Sequence, residues 1–345
     1  MKLLFFTDPH LGLERNSHTT PASRGRLKQE VFNQLDNVFD IQADFYICAG
    51  DLFDKHTVDN QTLLQGLEVA KLCDVVLSGN HDSTNRVNAL SSMEVIKTVL
   101  DTEAIGVLPV NSQVNIVWVN HELNQDLFLE ALETAKHEAT KNSILVLHCN
   151  YDSPFAHDDA SLNLTRDKAK ELLEHFSYVV LGHEHQHRTD FDGRLFILGN
   201  THPTSFADIS DKFCWEFSFD QPSPSNIEGE SWSIKPHLIW SKDNGLLELD
   251  ASELAQITKL PKAVQFIEVT GKVTRDKVAG VAKQVADLWS KSENLLMVRN
   301  NTTCEQEVVE APTAPKDIKD IPTQVSKALA GTELEILWNN YLEAL

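Results

Sequence analysis

The sequence has few cysteines and no long apolar run, and each absence excludes a class of protein. Its five cysteines are scattered and form no Cys-x-x-Cys pair, which argues against a disulfide framework and indicates reduced thiols in a cytoplasm. No apolar run approaches the ~20 residues that span a bilayer. The apolar start of the chain is too short for a signal peptide. We therefore expect a cytoplasmic protein with no membrane partner.

Basic residues are also scarce. The chain has 30 Lys and Arg against 51 Asp and Glu, a formal net charge of −21. This argues against a protein that coats DNA nonspecifically, because such binding comes from cations that neutralise phosphates. If the substrate is a nucleic acid, bound cations, a local basic patch or a partner must offset the acidic field.

The remaining composition is ordinary. Hydrophobic residues make up 41% of the chain and charged residues 23%, as in globular proteins, and no internal repeat is evident. The 345 residues exceed the usual size of one core. We expect one large domain and a smaller second one.

Metal-ligating residue types follow a series of predicted strands. The apolar run Phe45–Ala49 predicts a buried strand, and Gly50-Asp51-Leu52-Phe53-Asp54 follows it. Open α/β folds bind their ligands at this carboxyl edge of the sheet. The same arrangement recurs at four further strand ends, which carry Asp8 and His10, Asn80 and His81, His148, and His183 and His185.

These residues predict a dinuclear metal site. Carboxylate, amide and imidazole donors without a thiolate suit manganese or mixed iron and manganese. Residues two apart in an extended chain project to one side, so Asp8 and His10 can reach one ion. By the same spacing His183 and His185 can each serve one ion of a close pair. We expect Asp51 to bridge the two ions, although His148 can also be read as a core histidine.

A Gly79-Asn80-His81-Asp82 turn follows the predicted strand Asp74–Leu77. Glycine permits the tight turn, and Asn80 offers an amide oxygen to a hard cation. His81 would face the reacting group, and Asp82 would orient its ring.

Three segments allow two interpretations each. Residues 14–28, with Arg15, Arg24 and Arg26, are either a solvated loop before a helix over 27–40 or a contact for a phosphate backbone. His121 and Glu122 are metal ligands in a different layout or part of the surface. Residues 150–163 are a mobile lid or a substrate-facing loop.

The pattern of predicted elements changes near residue 260. A strand over Phe266–Thr270, a helix over Arg275–Ser290 and a strand over Leu295–Val298 predict a β-α-β unit. We divide the chain into a large domain (1–258), a small domain (259–300), a proline-containing linker (301–331) and a C-terminal helix (332–345). That helix either packs on its own domain or docks a partner.

The ordered motifs resemble those of the calcineurin-like metallophosphoesterase superfamily over roughly residues 1–220. Within it the chain is similar to the SbcD family of DNA-repair nucleases. The supports are Gly50-Asp51-Leu52-Phe53-Asp54, the arginine-rich lead into the first helix, and the segment 199–208. The resemblance implies an α/β fold, a four-layer α-β-β-α sandwich core with a small C-terminal α+β capping domain.

The resemblance also implies roles for individual residues. Asp8, His10, Asp51 and His185 would hold one ion, and Asp51, Asn80, His148 and His183 the other. His81 and Asp82 would be catalytic. Asp54 and four arginines would support the site or contact the substrate: Arg15, Arg24, Arg26 and Arg86.

The resemblance further implies two divalent cations, Mn²⁺ foremost with Mg²⁺ or Fe as alternatives, and DNA as the substrate. The implied partner is an SbcC-type coiled-coil ATPase, and a homodimer is possible by the same likeness.

The predicted chemistry is hydrolysis of a phosphodiester. Two close cations neutralise its charge and lower the pKa of a bridging water, so that hydroxide attacks in line. His81 would protonate the leaving ribose oxygen.

Three other functions compete with the nuclease. A small-substrate phosphodiesterase fits the acidic charge. A phosphoprotein phosphatase usually shows Arg-Gly after the Gly-Asp motif, where this chain has Lys55-His56. A non-enzymatic scaffold is disfavoured because no proposed ligand is missing.

Overall fold

The computed structural model describes most of the chain. The described residues are 1–84, 89–100, 105–111, 114–140, 142–154, 162–220, 231–305, 320–331, 334, 335 and 338. Arg86, half of the predicted loop 150–163 and most of the predicted helix 332–345 lie outside them. In this described part, no helix is long and apolar enough to cross a membrane.

Two large sheets form the centre of the molecule. The strands of the first sheet are β1 (Lys2–Phe6), β2 (Phe45–Cys48), β3 (Val75–Val76), β12 (Lys212–Asp220) and β13 (Ser231–Trp240). Their order is β13-β12-β1-β2-β3, with β1, β2 and β3 parallel and β12 antiparallel to both its neighbours.

The second sheet has six strands in the described residues. They are β4 (Ile105–Pro109), β5 (Asn115–Val119), β6 (Ile144–His148), β9 (Tyr178–Gly182), β10 (Arg188–Asp190) and β11 (Leu195–Ile197). The order is β10-β11-β9-β6-β5-β4. The four inner strands are parallel, and the two outer strands are antiparallel to their neighbours.

Helices flank the two sheets. They are α1 (Pro21–Asn33), α2 (Asp36–Phe39), α3 (Asn60–Leu72), α4 (Ser92–Leu100), α5 (Gln125–His137), α6 (Arg166–Leu172), α7 (Lys242–Gly245), α8 (Val278–Asp287) and α9 (Asp320–Leu329). Short 3₁₀ turns lie at Phe191–Gly193, Leu254–Gln256 and Leu288–Ser290.

Alternation along the strands creates three apolar layers. In β1, Leu3 and Phe5 pack between the sheets, while Leu4 and Phe6 pack against α1, α3 and α4. In β6, Val146 faces the first sheet, and its neighbours on either side face α5 and α6. Side chains alternate between the two faces of a strand, so each central strand supplies two layers. The α-β-β-α arrangement implied by the resemblance is confirmed.

The first helix begins earlier than its apolar spacing predicts. Thr20 caps it, accepting a hydrogen bond from Ser23 N (3.1 Å) while Ser23 Oγ accepts one from Thr20 N (2.9 Å). Pro21 occupies the first helical position, where its missing N–H costs nothing. Arg24 and Arg26 therefore lie on α1, and the prediction that they belong to a loop is wrong.

A smaller parallel sheet lies beyond the core. It consists of β14 (Leu246–Asp250), β15 (Phe266–Thr270) and β17 (Met297–Asn300), in that order, with α8 between the last two strands along the chain. We call residues 246–304 the small unit. Its strand β14 precedes the predicted boundary at 259, so this sheet begins earlier than expected.

Short strands complete the described structure. They are β7 (Asn150–Tyr151), which pairs with β8 (Asn163–Leu164), and β16 (Lys272–Val273), which pairs with β18 (Thr303–Cys304). Helix α9 lies within residues 301–331, where the sequence predicts only a linker. The division into domains stays a prediction.

Candidate metal centre

The carboxyl ends of strands from both sheets meet at one place. β1 and β2 of the first sheet and β6 and β9 of the second all end there. Alternation along β6 turns His148 toward the first sheet, like Val146 two residues before it. The predicted site residues are thus brought together between the sheets.

The backbone at this edge is not extended. Asp8, His10, Asp51 and His183 have φ values of 52°, 50°, 49° and 91°. Residues other than glycine rarely adopt positive φ, and such strained positions gather at functional sites. The extended geometry predicted for Asp8 with His10 and for His183 with His185 is therefore wrong. Backbone turns at these positions direct the side chains into the site instead.

The first cluster contains Asp8, His10 and His185. The Nε2 atoms of His10 and His185 are 3.1 Å apart. Asp8 Oδ1 is 3.8 Å from the first and 3.9 Å from the second of these atoms. Asp8 Oδ2 accepts hydrogen bonds from Thr7 Oγ1 (2.6 Å) and His183 N (2.9 Å), which fix the carboxylate.

The second cluster contains Asp51, His148 and His183. His148 Nε2 is 3.3 Å from Asp51 Oδ2 and 3.2 Å from Asn80 Oδ1. Asn80 Oδ1 is 2.9 Å from His183 Nδ1. Asp51 also lies in a group with His10 and His81, so that it joins the two clusters.

Hydrogen bonds select the ring nitrogens that face the clusters. His185 Nδ1–H donates to Asp208 Oδ2 (3.1 Å), and His148 Nδ1–H donates to the carbonyl oxygen of Ala49 (2.8 Å). In each ring Nε2 is then directed into a cluster. Carboxylate and carbonyl partners of this kind orient metal-binding histidines.

The buried imidazoles differ in charge. Burial lowers the pKa of His10 and of His183 to about 4, so both rings are neutral at pH 7. Burial also acts to lower the pKa of His148, but the carboxylates of Asp51 and Asp8 outweigh it and raise this pKa to about 10. In the metal-free protein a proton on His148 balances part of the negative charge.

The donor atoms fit divalent cations. Asp8 Oδ1 is buried without a hydrogen-bond partner, although it is a carboxylate oxygen surrounded by imidazole nitrogens. An unpaired buried charge is costly, and a cation bound to it removes the cost. Glycine permits the close approach, because a Cβ on Gly79 would lie 2.1 Å from Asp51 Oδ1. Gly50, with φ of 107°, similarly makes room for the His148 ring.

His81 lies at the exposed rim of the site. Its ring centre is 5.0 Å from that of His10, and its backbone N–H donates to Asp51 Oδ1 (2.9 Å). His81 Nδ1–H donates to the carbonyl oxygen of Asp54 (2.7 Å). This hydrogen bond fixes the orientation of the ring from its Nδ1 side.

Asp82 does not orient the His81 ring, so that prediction is wrong. Its carboxylate is buried and accepts the backbone N–H groups of Leu52 (3.1 Å), Phe53 (2.9 Å) and Gly79 (2.9 Å). Asp82 therefore joins the two loops that carry Asp51 and Asn80, and has no described contact with the His81 side chain.

The other predicted residues lie at different distances from the metal clusters. Asp54 Oδ1 is 3.8 Å from His10 Nδ1, at the edge of the site. Arg15 Nε donates to Thr204 O (3.1 Å). Arg26 Nη2 donates to Leu295 O (3.0 Å) of the small unit, which places it in a joint between α1 and that unit. Arg24 is half-buried on α1.

Asp208 is a site residue that the sequence reasoning missed. Its carboxylate accepts a hydrogen bond from His185. Burial acts to raise the pKa of this carboxyl. The hydrogen bond from His185 and the charge of Lys212 outweigh burial and hold the pKa well below its usual range. The segment 199–208 contributes to the family resemblance, which assigns no role to Asp208. The available signal was a carboxylate that closes a short polar loop before a strand.

One comparison with known proteins identifies a family. Residues 1–187 match the family model of calcineurin-like phosphoesterases. No curated protein sequence matches the chain.

Solved structures show similarity at low identity. A candidate 5′-nucleotidase from Staphylococcus aureus is 10% identical with a TM-score of 0.42, over 68% of this chain and 54% of that one. The phosphopantetheinyl hydrolase of Mycobacterium tuberculosis is 13% identical with a TM-score of 0.38, over 58% of this chain and 90% of that one. The NAD nucleotidase of Haemophilus influenzae is 13% identical with a TM-score of 0.32, over 84% of this chain and 60% of that one.

The chain thus spans about half the length of the staphylococcal protein. The family match, in contrast, covers 187 of the 345 residues, more than half of the chain. On this ground the chain belongs to the calcineurin-like phosphoesterase family.

Proposed function

We propose that the chain is a two-metal phosphodiesterase that cleaves DNA, in the manner of SbcD-type nucleases. The observation that carries the hydrolytic part is the position of Asp51, which belongs to the second cluster and also lies beside His10 of the first. Asp8, His10, Asp51 and His185 would hold one divalent cation. Asp51, Asn80, His148 and His183 would hold the other.

The chain's own residues prepare this reaction. Bound at these ligands, two cations would neutralise phosphate charge and supply a hydroxide at neutral pH. Asp208 and Ala49 O keep the ring nitrogens of His185 and His148 directed at the ions. Mn²⁺ is the ion we propose, because the donors are oxygen and imidazole nitrogen without a thiolate.

His81 is placed to act as the general acid. Its Nδ1–H is held by the carbonyl oxygen of Asp54 (2.7 Å), so the proton that it gives to a leaving oxygen would come from Nε2. The ring is exposed, unlike those of His10 and His148, and can contact a substrate. General-acid catalysis of this kind contributes roughly 10²–10⁴-fold to the rate.

A cavity beside His81 supports a substrate with a large leaving group. It has a volume of about 380 Å³ and is lined by His81, Asn80, Asp54, Lys55, His56, Thr57 and Ser83. Pockets of such a volume hold small molecules or single building blocks of a polymer. The ammonium group of Lys55 would favour a second phosphate there, as in a polynucleotide.

The DNA substrate and the partner are carried over from the resemblance. We propose an SbcC-type coiled-coil ATPase as the partner, and action on DNA ends in repair or recombination. The net charge of −21 and the engagement of Arg26 with Leu295 O favour the alternative, a phosphodiesterase of small or nucleotide substrates. Substrate assays separate the two.

The first prediction concerns the substrate. With Mn²⁺, the full chain is expected to degrade linear double-stranded DNA as well as bis-p-nitrophenyl phosphate, because both are phosphodiesters and the cavity admits a large leaving group. Phosphopeptide hydrolysis should stay at background. Turnover of the small ester without any cleavage of single- or double-stranded DNA would contradict the nuclease and support the alternative.

The second prediction concerns His81. His81→Ala is expected to lower kcat on DNA by roughly 10²–10⁴-fold, because the leaving oxygen loses its proton donor. Bound Mn²⁺, measured by elemental analysis after desalting, should stay at the wild-type level. The loss should be much smaller for a p-nitrophenolate leaving group, which needs no proton. Wild-type turnover of DNA by the variant would refute the assignment.

The third prediction concerns pH. A metal ion must displace the proton that His148 carries below its pKa of about 10 in the metal-free protein. Mn²⁺ affinity should therefore rise between pH 6.5 and 8.5, by about tenfold per pH unit from this group alone. Calorimetry at pH 7.5 in two buffers of different ionisation enthalpy should show proton release. Buffer-independent heats together with a pH-independent affinity would disagree with this account.

A further inference from the structure

One loop supports His185 and no other proposed ligand in the described residues. Asp208, at the end of the loop 199–208, accepts the Nδ1–H of His185 at 3.1 Å. Lys212 is buried, and its Nζ donates to the carbonyl oxygens of Asp208 (2.6 Å) and His185 (3.3 Å). The position of the His185 ring therefore depends on where this loop lies.

The loop holds the Asp208 carboxylate from several sides. Its oxygens accept the backbone N–H groups of Thr204 (3.0 Å) and Ser205 (2.8 Å), and the side-chain amide of Asn200 (2.9 Å). With these donors in place, Asp208 has little freedom to turn away from His185. Movement of the loop would move the carboxylate with it.

The same loop is held by the small unit. The guanidinium of Arg299 lies 4.5 Å from the ring centre of Phe206, and the Phe266 ring meets it edge-on at 6.1 Å. Arg299 is itself fixed by a hydrogen-bonded ion pair with Glu268 (2.8 Å). A cation over an aromatic face is worth roughly 0.5–2 kcal/mol. Phe206 is thus clamped by residues of two strands of the small sheet.

In the described part of the chain, the second cluster has no such support. His148 is oriented by Ala49 O, and the backbone N–H of His183 donates to Asp8. Asn80 follows β3 in a loop that Asp82 ties to Leu52 and Phe53. The contacts described for these ligands all lie within the core of the two large sheets. Among the contacts of the proposed ligands in the described residues, those that lead to the small unit belong to the first cluster.

We propose that Phe206 and Asp208 are positioning residues through which the small unit stabilises one of the two metal ions. Release of the Phe206 clamp would let the loop shift and would loosen His185, whereas Asn80, His148 and His183 would keep their places. The variant protein would then bind one ion tightly and the other weakly. This inference rests on the proposed metal sites.

The test uses the full chain with two separate changes to the clamp, Phe206→Ala and Arg299→Ala. Arg194→Ala is the control. Arg194 precedes β11 and donates to the carbonyl oxygens of Leu173, Phe176 and Ser177. These contacts lie at the edge of the second sheet opposite the carboxyl edge that carries the proposed ligands. Calorimetric titration of the metal-free proteins with Mn²⁺ gives the number and affinity of the ions. Thermal melting without metal reports general loss of stability.

Wild type and Arg194→Ala are expected to bind two ions. Each clamp variant should keep one wild-type affinity and weaken the other by about 10–100-fold, the usual effect of removing support from a metal-binding histidine. Unchanged binding of both ions, or equal weakening of both, would overturn the inference. A wild-type protein that binds fewer than two ions would instead defeat the proposed function from which the inference starts.

Discussion

The attraction between one buried carboxylate and the positive charge around it determines the rest of the site. Asp51 lies at the end of β2, almost inaccessible to solvent, with imidazoles of both clusters nearby. A carboxylate so deeply buried is stable only when charge and hydrogen bonds compensate it. His81 N–H supplies one hydrogen bond, and in the metal-free protein His148 supplies a proton. Divalent cations would replace that proton, which makes the same compensation the basis of hydrolysis.

The order of motifs along the chain, with the family resemblance it carries, was sufficient to predict the α-β-β-α fold and that the proposed ligands lie together, because each motif follows a strand and parallel strands end at one edge. The backbone turns and long-range contacts that hold these side chains in place were less predictable. Positive φ at Asp8 and His183 arises from local turns that a two-residue spacing does not show. Asp82 stabilises the loops and not the His81 ring, since its partners, Leu52 and Phe53, are about thirty residues away in sequence. Arg26 faces the small unit, a contact with residue 295 that no local pattern reports.

The two proposed metal positions differ in how they are held. Asn80, His148 and His183 belong to the core, whose apolar layers fix the strands that carry them. His185 depends in addition on Asp208 and, through Phe206, on the small unit. Under the proposed function, a shift of the small unit would act first on the ion that His185 would hold.

Metal content of Asp51→Asn is the most direct test of the account. Asparagine keeps the shape and removes the charge proposed to bridge the two ions, so both ions should be lost after desalting, with the fold intact by circular dichroism. Asp54→Asn is the control, because Asp54 lies at the edge, 3.8 Å from His10 Nδ1, and should retain two ions. Wild-type content of both ions in Asp51→Asn, or loss of only one, would contradict the shared role of Asp51.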